Sequence, residues 1–182
     1  MKTFDKFLLE SSLSRVYSHT KDRNIGMITA HRGENSTEEN NERNAELARH
    51  IRNAGYGYIK VKGRYVENHG TPQARNVDED SFLVIGKKGD DKDNLKTFLL
   101  KHGEKYNQDS ILHKNYNETT AKLYGTKEGS WPGKGKEHNV GEWHPSRAGE
   151  FHTVMKGSKT FTFESFIFCN PISFFSRKEN LF

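Results

Sequence analysis

In GYIKVKGRYVE, residues 57–67, the side chains Ile59, Val61 and Tyr65 alternate with Lys60, Lys62 and Arg64. Successive side chains of a strand point to opposite faces, so this is the period of a half-buried strand. The turn-rich loop NHGTPQARNVDED follows, and SFLVIGKK at 81–88 is a short apolar run that fits a central strand. Strands that follow one another through short connections pair antiparallel. This constraint sets the fold class.

The rest of the chain fits the same frame. IGMITAHR, residues 25–32, reads as a first strand. In GENSTEEN, Ser36 and Glu39 have capping-box spacing, and Glu38 and Glu39 suit a helix N-terminus. This first helix is predicted to run to about Ala54, where Gly55 offers a left-handed stop. Asp90 and Asp91 precede a second helix near 92–102, with Leu95, Phe98 and Leu99 on one face. QDSILHK and TAKLYG are shorter strands, and TVMKGSKTFTFESFIF reads as a hairpin around KGSK. The expected architecture is α+β: a single domain at 25–168, with a mostly antiparallel sheet and two main helices on one face. Residues 11–24 are a linker or helix extension, and the aromatic 169–182 tail, ending in Phe182, is expected to pack on the domain.

Only 32% of the 182 residues are hydrophobic and mean hydropathy is -0.95, so a modest core with long polar loops is expected. Phe, at 12 copies, takes over part of the aliphatic packing. A net charge of +5 favours anionic partners without fixing one. The single cysteine, Cys169, excludes an internal disulfide and a multi-cysteine zinc site; between Phe168 and Asn170 it reads as a small buried hydrophobe. No apolar run approaches the ~18 residues of a membrane span, so no membrane role is expected.

Several residues are candidates for chemistry. Asn40, Asn44, Leu47 and Ile51 share one stripe of the first helix, with Arg43 beside it. Its polar half either lines a pocket over the sheet near Glu79, Ser81 and Gln108, or emerges into solvent. Lys60, Lys62 and Arg64, with Arg75, Lys87 and Lys88 nearby in the chain, form a phosphate- or nucleic-acid-binding face or a solvated edge. Tyr56, Tyr58 and Tyr65 are placed for base stacking or for the core. The segment GTKEGSWPGKGKEHNVGEWHPSRAGEFH lacks phosphate-loop spacing. Its His138, Glu142, His144, Glu150 and His152 lack metal-ligand spacing, so no metal and no cofactor are expected. It reads as an irregular loop that contacts a partner, with Trp131 and Trp143 as anchors. No established catalytic motif is present, so the reading leans away from an enzyme.

The N-terminus adds a context. In MKTFDKFLLE, the spacing of Phe4, Phe7 and Leu8 is that of an amphipathic helix, which by periodicity alone reads as a helix docked on the domain, and charged residues break the apolar run that a secretory signal needs. The decapeptide resembles the capsid-targeting leader of internal head proteins of T-even-type tailed phages. Met1, Lys2, Thr3 and Phe4 match the start, and Leu8-Leu9-Glu10 matches the cleavage tripeptide. The resemblance implies a cut between Glu10 and Ser11 by the phage prohead protease. It further implies packaging in the capsid interior, injection into the host cytoplasm with the DNA, and action on a host defence protein or other host factor. The expected function is therefore inhibition of a host defence system such as a restriction nuclease, by surface complementarity. The alternatives are a small injected enzyme acting on nucleic acid or nucleotides, and a DNA-condensing head protein, against which the modest charge argues. Residues 25–114, through TAHRGENSTEENNERNAELARHIRNAGY, GRYVEN, EDSFLVIG and KYNQDSILH, are also similar to a small uncharacterised domain family of bacteria and phages.

Overall fold

The computed structural model describes residues 18, 21–67, 72, 75–90, 92–144, 152–155 and 159–164; at 63–67, 75–78, 143–144, 152–155 and 159–164 it describes the backbone. The expected leader with its Glu10–Ser11 bond, most of the 11–24 segment and the 169–182 tail lie outside these residues. The elements in chain order are β1 (Arg23–Ile28), α1 (Thr37–Asn53), β2 (Gly57–Glu67), β3 (Arg75–Lys88), α2 (Asn94–Lys105), β4 (Ser110–Lys114), β5 (Thr120–Gly125), β6 (Glu137–His144), β7 (His152–Met155) and β8 (Lys159–Glu164).

The architecture is α+β, with an antiparallel sheet and two helices packed on one of its faces. The sheet closes on itself in the order β1-β3-β2-β7-β8-β6-β5-β4, with β4 returning to β1. Closure removes the free edges that an open sheet would have to protect. The β2–β3 hairpin follows from the alternating pattern: its register runs from Gly57 opposite Ile85 to Glu67 opposite Arg75.

Three boundaries differ from expectation. The first strand stops at Ile28 and does not reach Arg32, because the next four residues are taken up by side-chain hydrogen bonds described below. β3 begins at Arg75 and not at Ser81, since Asn76–Asp80 complete the ladder with β2. The segment expected as one irregular loop contains β6, whereas β7 and β8 pair antiparallel as the two strands of the expected hairpin. Pairing Tyr124 with Glu137 and Lys122 with Asn139 occupies the edge of β5, whose backbone groups would otherwise lack partners.

The two faces of the sheet carry different cores. On the outer face, Leu47, Ala48 and Ile51 of α1 and Leu95 and Leu99 of α2 pack on Ile28, Phe82, Val84 and Ile111. The alternation puts Ile25, Leu83, Val61, Leu112 and Ala121 on the lumen side, where all are buried. Leu99 sits directly over Gly26, where a Cβ would meet its methyl group and stand 2.8 Å from the Leu112 carbonyl oxygen. Glycine there lets α2 lie flat on the barrel.

Helix ends are built as the sequence indicates. Ser36 Oγ accepts from Glu39 N at 3.1 Å, and Ser36 N donates to Glu39 Oε2 at 2.9 Å, completing the capping box. Gly55 follows the C-cap with φ of 77°. At α2, the carboxylate of Asp90 accepts from Asn94 N at 3.2 Å, Asn94 Nδ2 at 2.8 Å and Leu95 N at 3.0 Å. Burial alone would raise the pKa of Asp90, but these bonds outweigh it and lower the pKa. Among the described residues no helix is long and apolar enough to cross a membrane.

His113, on β4 beneath α2, is 3% exposed and its Nε2 has no hydrogen-bond partner. Burial pushes its pKa down to about 4, against the attraction of Asp93 and Asp90 and with Lys96 and Lys114 adding repulsion. The unfolded chain takes up this proton near the ordinary value of 6.5, while the folded chain resists it to about 4. The contribution to stability is therefore whole above about pH 6.5 and drains as pH falls through about 4. Urea denaturation at stepped pH is expected to show this loss, and His113→Gln is expected to flatten the slope between about pH 6.5 and 4.

Candidate functional site

The β1–β3 ladder ends at the pair Ile28 and Phe82, and the chain then peels away from β3. Thr29 Oγ1 donates to the Asp80 carbonyl at 2.7 Å and accepts from His31 N at 3.0 Å. The polar half of the α1 stripe holds the diverging segment. Asn44 Oδ1 accepts from Ala30 N at 3.0 Å, while its Nδ2 reaches the Asp80 carbonyl at 3.3 Å. Asn40 Oδ1 accepts from Arg32 N at 2.9 Å and its Nδ2 donates to Arg32 O at 3.0 Å. Arg43 donates from Nε to Ala30 O and from Nη2 to Tyr106 O, both at 2.7 Å. Gln108 Nε2 donates to His31 O at 3.0 Å and Tyr106 O at 3.2 Å.

Asn40, Arg43, Asn44 and Gln108 thus converge, as their sequence pattern suggests, but their polar atoms grip backbone. They form a clamp that shapes the loop at 29–32. Glu79 and Ser81 lie on β3 beside it, opposite Gly63 and Val61. What the clamp presents is His31 and Arg32, two residues with no distinguishing local signal in the sequence. His31 Nδ1 is buried, makes no hydrogen bond and stands 3.8 Å from Glu79 Oε1. The side chain of Glu79 is 18% exposed.

Arg32 links two further loops to this one. Its Nη1 donates to Asn107 O at 3.0 Å and Asp109 Oδ1 at 3.3 Å, and its Nε to Glu34 Oε1 at 3.0 Å. Burial opposes the charge on Arg32, but the bonds and charges of Glu34 and Asp109 win and raise its pKa. Asp109 also accepts from Ser130 Oγ at 3.1 Å and lies 3.9 Å from Lys127 Nζ. Thr126 Oγ1 donates to Gln108 O at 2.6 Å, and Thr126 N donates to Asp109 O at 3.0 Å. Loops 29–36, 106–109 and 126–136 therefore meet at one end of the barrel, bringing together His31, Glu79, Arg32, Asp109 and Lys127. Carboxylates and cations side by side suit a ligand that itself carries both signs of charge.

The other candidates fall elsewhere. Lys60 and Lys62 are exposed on the outer face of β2, opposite Phe82 and Asp80. Arg64 and Trp143 lie on β2 and β6, and their side chains are outside the described residues. Trp131 sits on the 126–136 loop and is 59% exposed. Among the described residues, no three His, Cys, Asp or Glu side chains gather as a metal ion would require.

Fold and site define a small α+β barrel whose connecting loops gather acidic and basic side chains at one end. The model of the S-adenosylmethionine lyase family matches residues 26–168, and the chain belongs to that family. The match runs from the middle of β1 through β8 and includes every residue of the clamp. No curated protein matches the chain.

Replacing Arg43 by alanine strands the Ala30 carbonyl and leaves the Tyr106 carbonyl to Gln108 alone. Arg43→Ala is expected to lower unfolding free energy by about 1–3 kcal/mol, measured by urea denaturation.

Proposed function

We propose that this protein is a lyase acting on S-adenosylmethionine. The observation that carries the reading is the family match, which covers the barrel from the middle of β1 onward and the three loops of the polar end. The chemistry is compatible with what those loops offer. S-adenosylmethionine carries a sulfonium, an ammonium and a carboxylate. Glu79 and Asp109 can face its cationic groups and Arg32 its carboxylate. In a lyase reaction a carbon–sulfur bond breaks and the electron pair leaves on sulfur, giving a neutral thioether. The carbon takes its new bond from within the same substrate molecule, so no water is added. The thioether needs no proton to depart, and the demand on the protein is to hold the substrate bent and to keep water away.

The purified chain is expected to consume S-adenosylmethionine with stoichiometric release of a thioether nucleoside. Early product masses are expected to sum to the substrate without an added water. Glu79→Gln is expected to cut kcat/KM by at least about ten-fold while the protein stays folded. No turnover by the unmodified protein, or products containing water from the outset, would overturn the reading.

A second proposal rests on the resemblance of MKTFDKFLLE to capsid-targeting leaders. The protein is packaged in a phage head, cut after Glu10, and injected with the DNA to disable a host defence. Consuming S-adenosylmethionine would act on every host enzyme that needs it without touching any of them. This joins the injected-enzyme alternative to the anti-defence role, and it stands against direct binding of a host protein such as a restriction nuclease. Mass spectrometry of the virion-derived protein is expected to find Ser11 at the N-terminus; an intact Met1 removes the leader.

A further inference from the structure

Beside the polar end stands an aromatic ring that the barrel leaves uncovered. Among the described residues, Trp131 is the exposed large hydrophobic side chain, with 59% of its surface open. Leaving most of an indole in water forfeits much of the stabilisation that its burial would give. The loop around it is not slack. Gly125 N donates to Lys136 O at 2.9 Å, Gly135 N to Gly125 O at 3.1 Å and Lys136 N to Gly133 O at 3.0 Å. Lys134 Nζ pairs with Glu104 at 3.2 Å, and Thr126 ties the loop base to Gln108 at 2.6 Å. His138 supports the indole from one side, its ring 4.7 Å away and tilted by 60°. A braced loop thus holds an open aromatic ring in place.

The position of the ring is as informative as its exposure. The preceding residue, Ser130, donates to Asp109, and Asp109 is bonded to Arg32, which follows His31 in the clamped loop. Trp131 therefore follows directly on a residue bonded into the charged groups assigned above to the amino-acid part of the substrate. The remaining part of S-adenosylmethionine is a nucleoside, and a purine offers a flat face to an exposed indole.

We propose that Trp131 is the platform on which the adenine ring of S-adenosylmethionine stacks, and so the residue that makes the site select a nucleoside sulfonium. This rests on the reading of the protein as a lyase of that substrate. Adenosine binding can be followed without turnover, which separates the two. In a Trp143→Phe protein, Trp131 is the sole tryptophan of the chain. Adenosine is expected to quench its fluorescence saturably, and methionine is not. In the otherwise unaltered chain, Trp131→Ala is expected to raise KM for S-adenosylmethionine by about ten-fold or more and change kcat far less, with Trp131→Phe retaining most of the affinity. Unquenched fluorescence, or a KM unmoved by Trp131→Ala, overturns the inference. So does a Trp131→Ala protein whose KM holds while its self-association in sedimentation is lost, since the ring is then a contact between copies. Quenching by adenosine in a protein that does not cleave S-adenosylmethionine leaves the platform standing and removes the lyase. Cleavage that is indifferent to Trp131 does the reverse.

Discussion

The organisation of this molecule depends on the hydrogen bonds that α1 makes to the chain leaving β1. Past Ile28 and Phe82 the two strands separate, and backbone groups that a ladder would have satisfied are left over. An orphaned buried polar group costs about 1–3 kcal/mol, comparable to a large part of a small domain's net stability. Asn40, Arg43 and Asn44 supply the missing partners in one turn of helix, and Gln108 adds one from across the barrel end. The helix is thus fixed twice, by apolar side chains near its C-terminus and by amide and guanidinium groups near its start. The second attachment fixes the path of His31 and Arg32, and through Arg32 the other two loops.

Much of this was legible in the chain. The alternation of Ile59 and Val61 with Lys60 and Lys62 defined β2 and its exposed face, and the spacing of Ser36 and Glu39 defined the start of α1. Local patterns report local structure. They fail where the deciding partner is distant. Thr29 to Arg32 read as more strand because nothing nearby shows that residues up to 77 positions away will hold their backbone. The polar stripe on α1 was visible, but its partners are carbonyls and amides, which leave no mark in a sequence. The pairing of Arg32 with Asp109 joins two unremarkable loops, so neither residue could be singled out. β6 was hidden by its glycines, and only the need of β5 for a neighbour makes a strand of it.

The charge arrangement at the barrel end also bears on specificity. Arg32 and Lys127 are matched there by Glu34 and Asp109, with Glu79 set deeper beside His31. On the proposed reading, a cluster that carries both signs suits a zwitterionic amino-acid group better than a simple anion, which the overall basic charge alone would have suggested. The exposed lysines of β2 belong to the outer face and take no part in this balance.

One crossing in the 126–136 loop has a wider meaning. At Gly125 the backbone of Gly133 passes so close that a side chain on Gly125 would collide with its carbonyl group. The loop is in effect a ring closed at its neck by two segments in contact. Such a construction separates what can vary from what cannot. A change at the tip, where Trp131 sits, leaves this crossing undisturbed, whereas the neck does not tolerate a side chain at Gly125. Variation in ligand preference can then arise at the tip while the barrel behind it stays as it is.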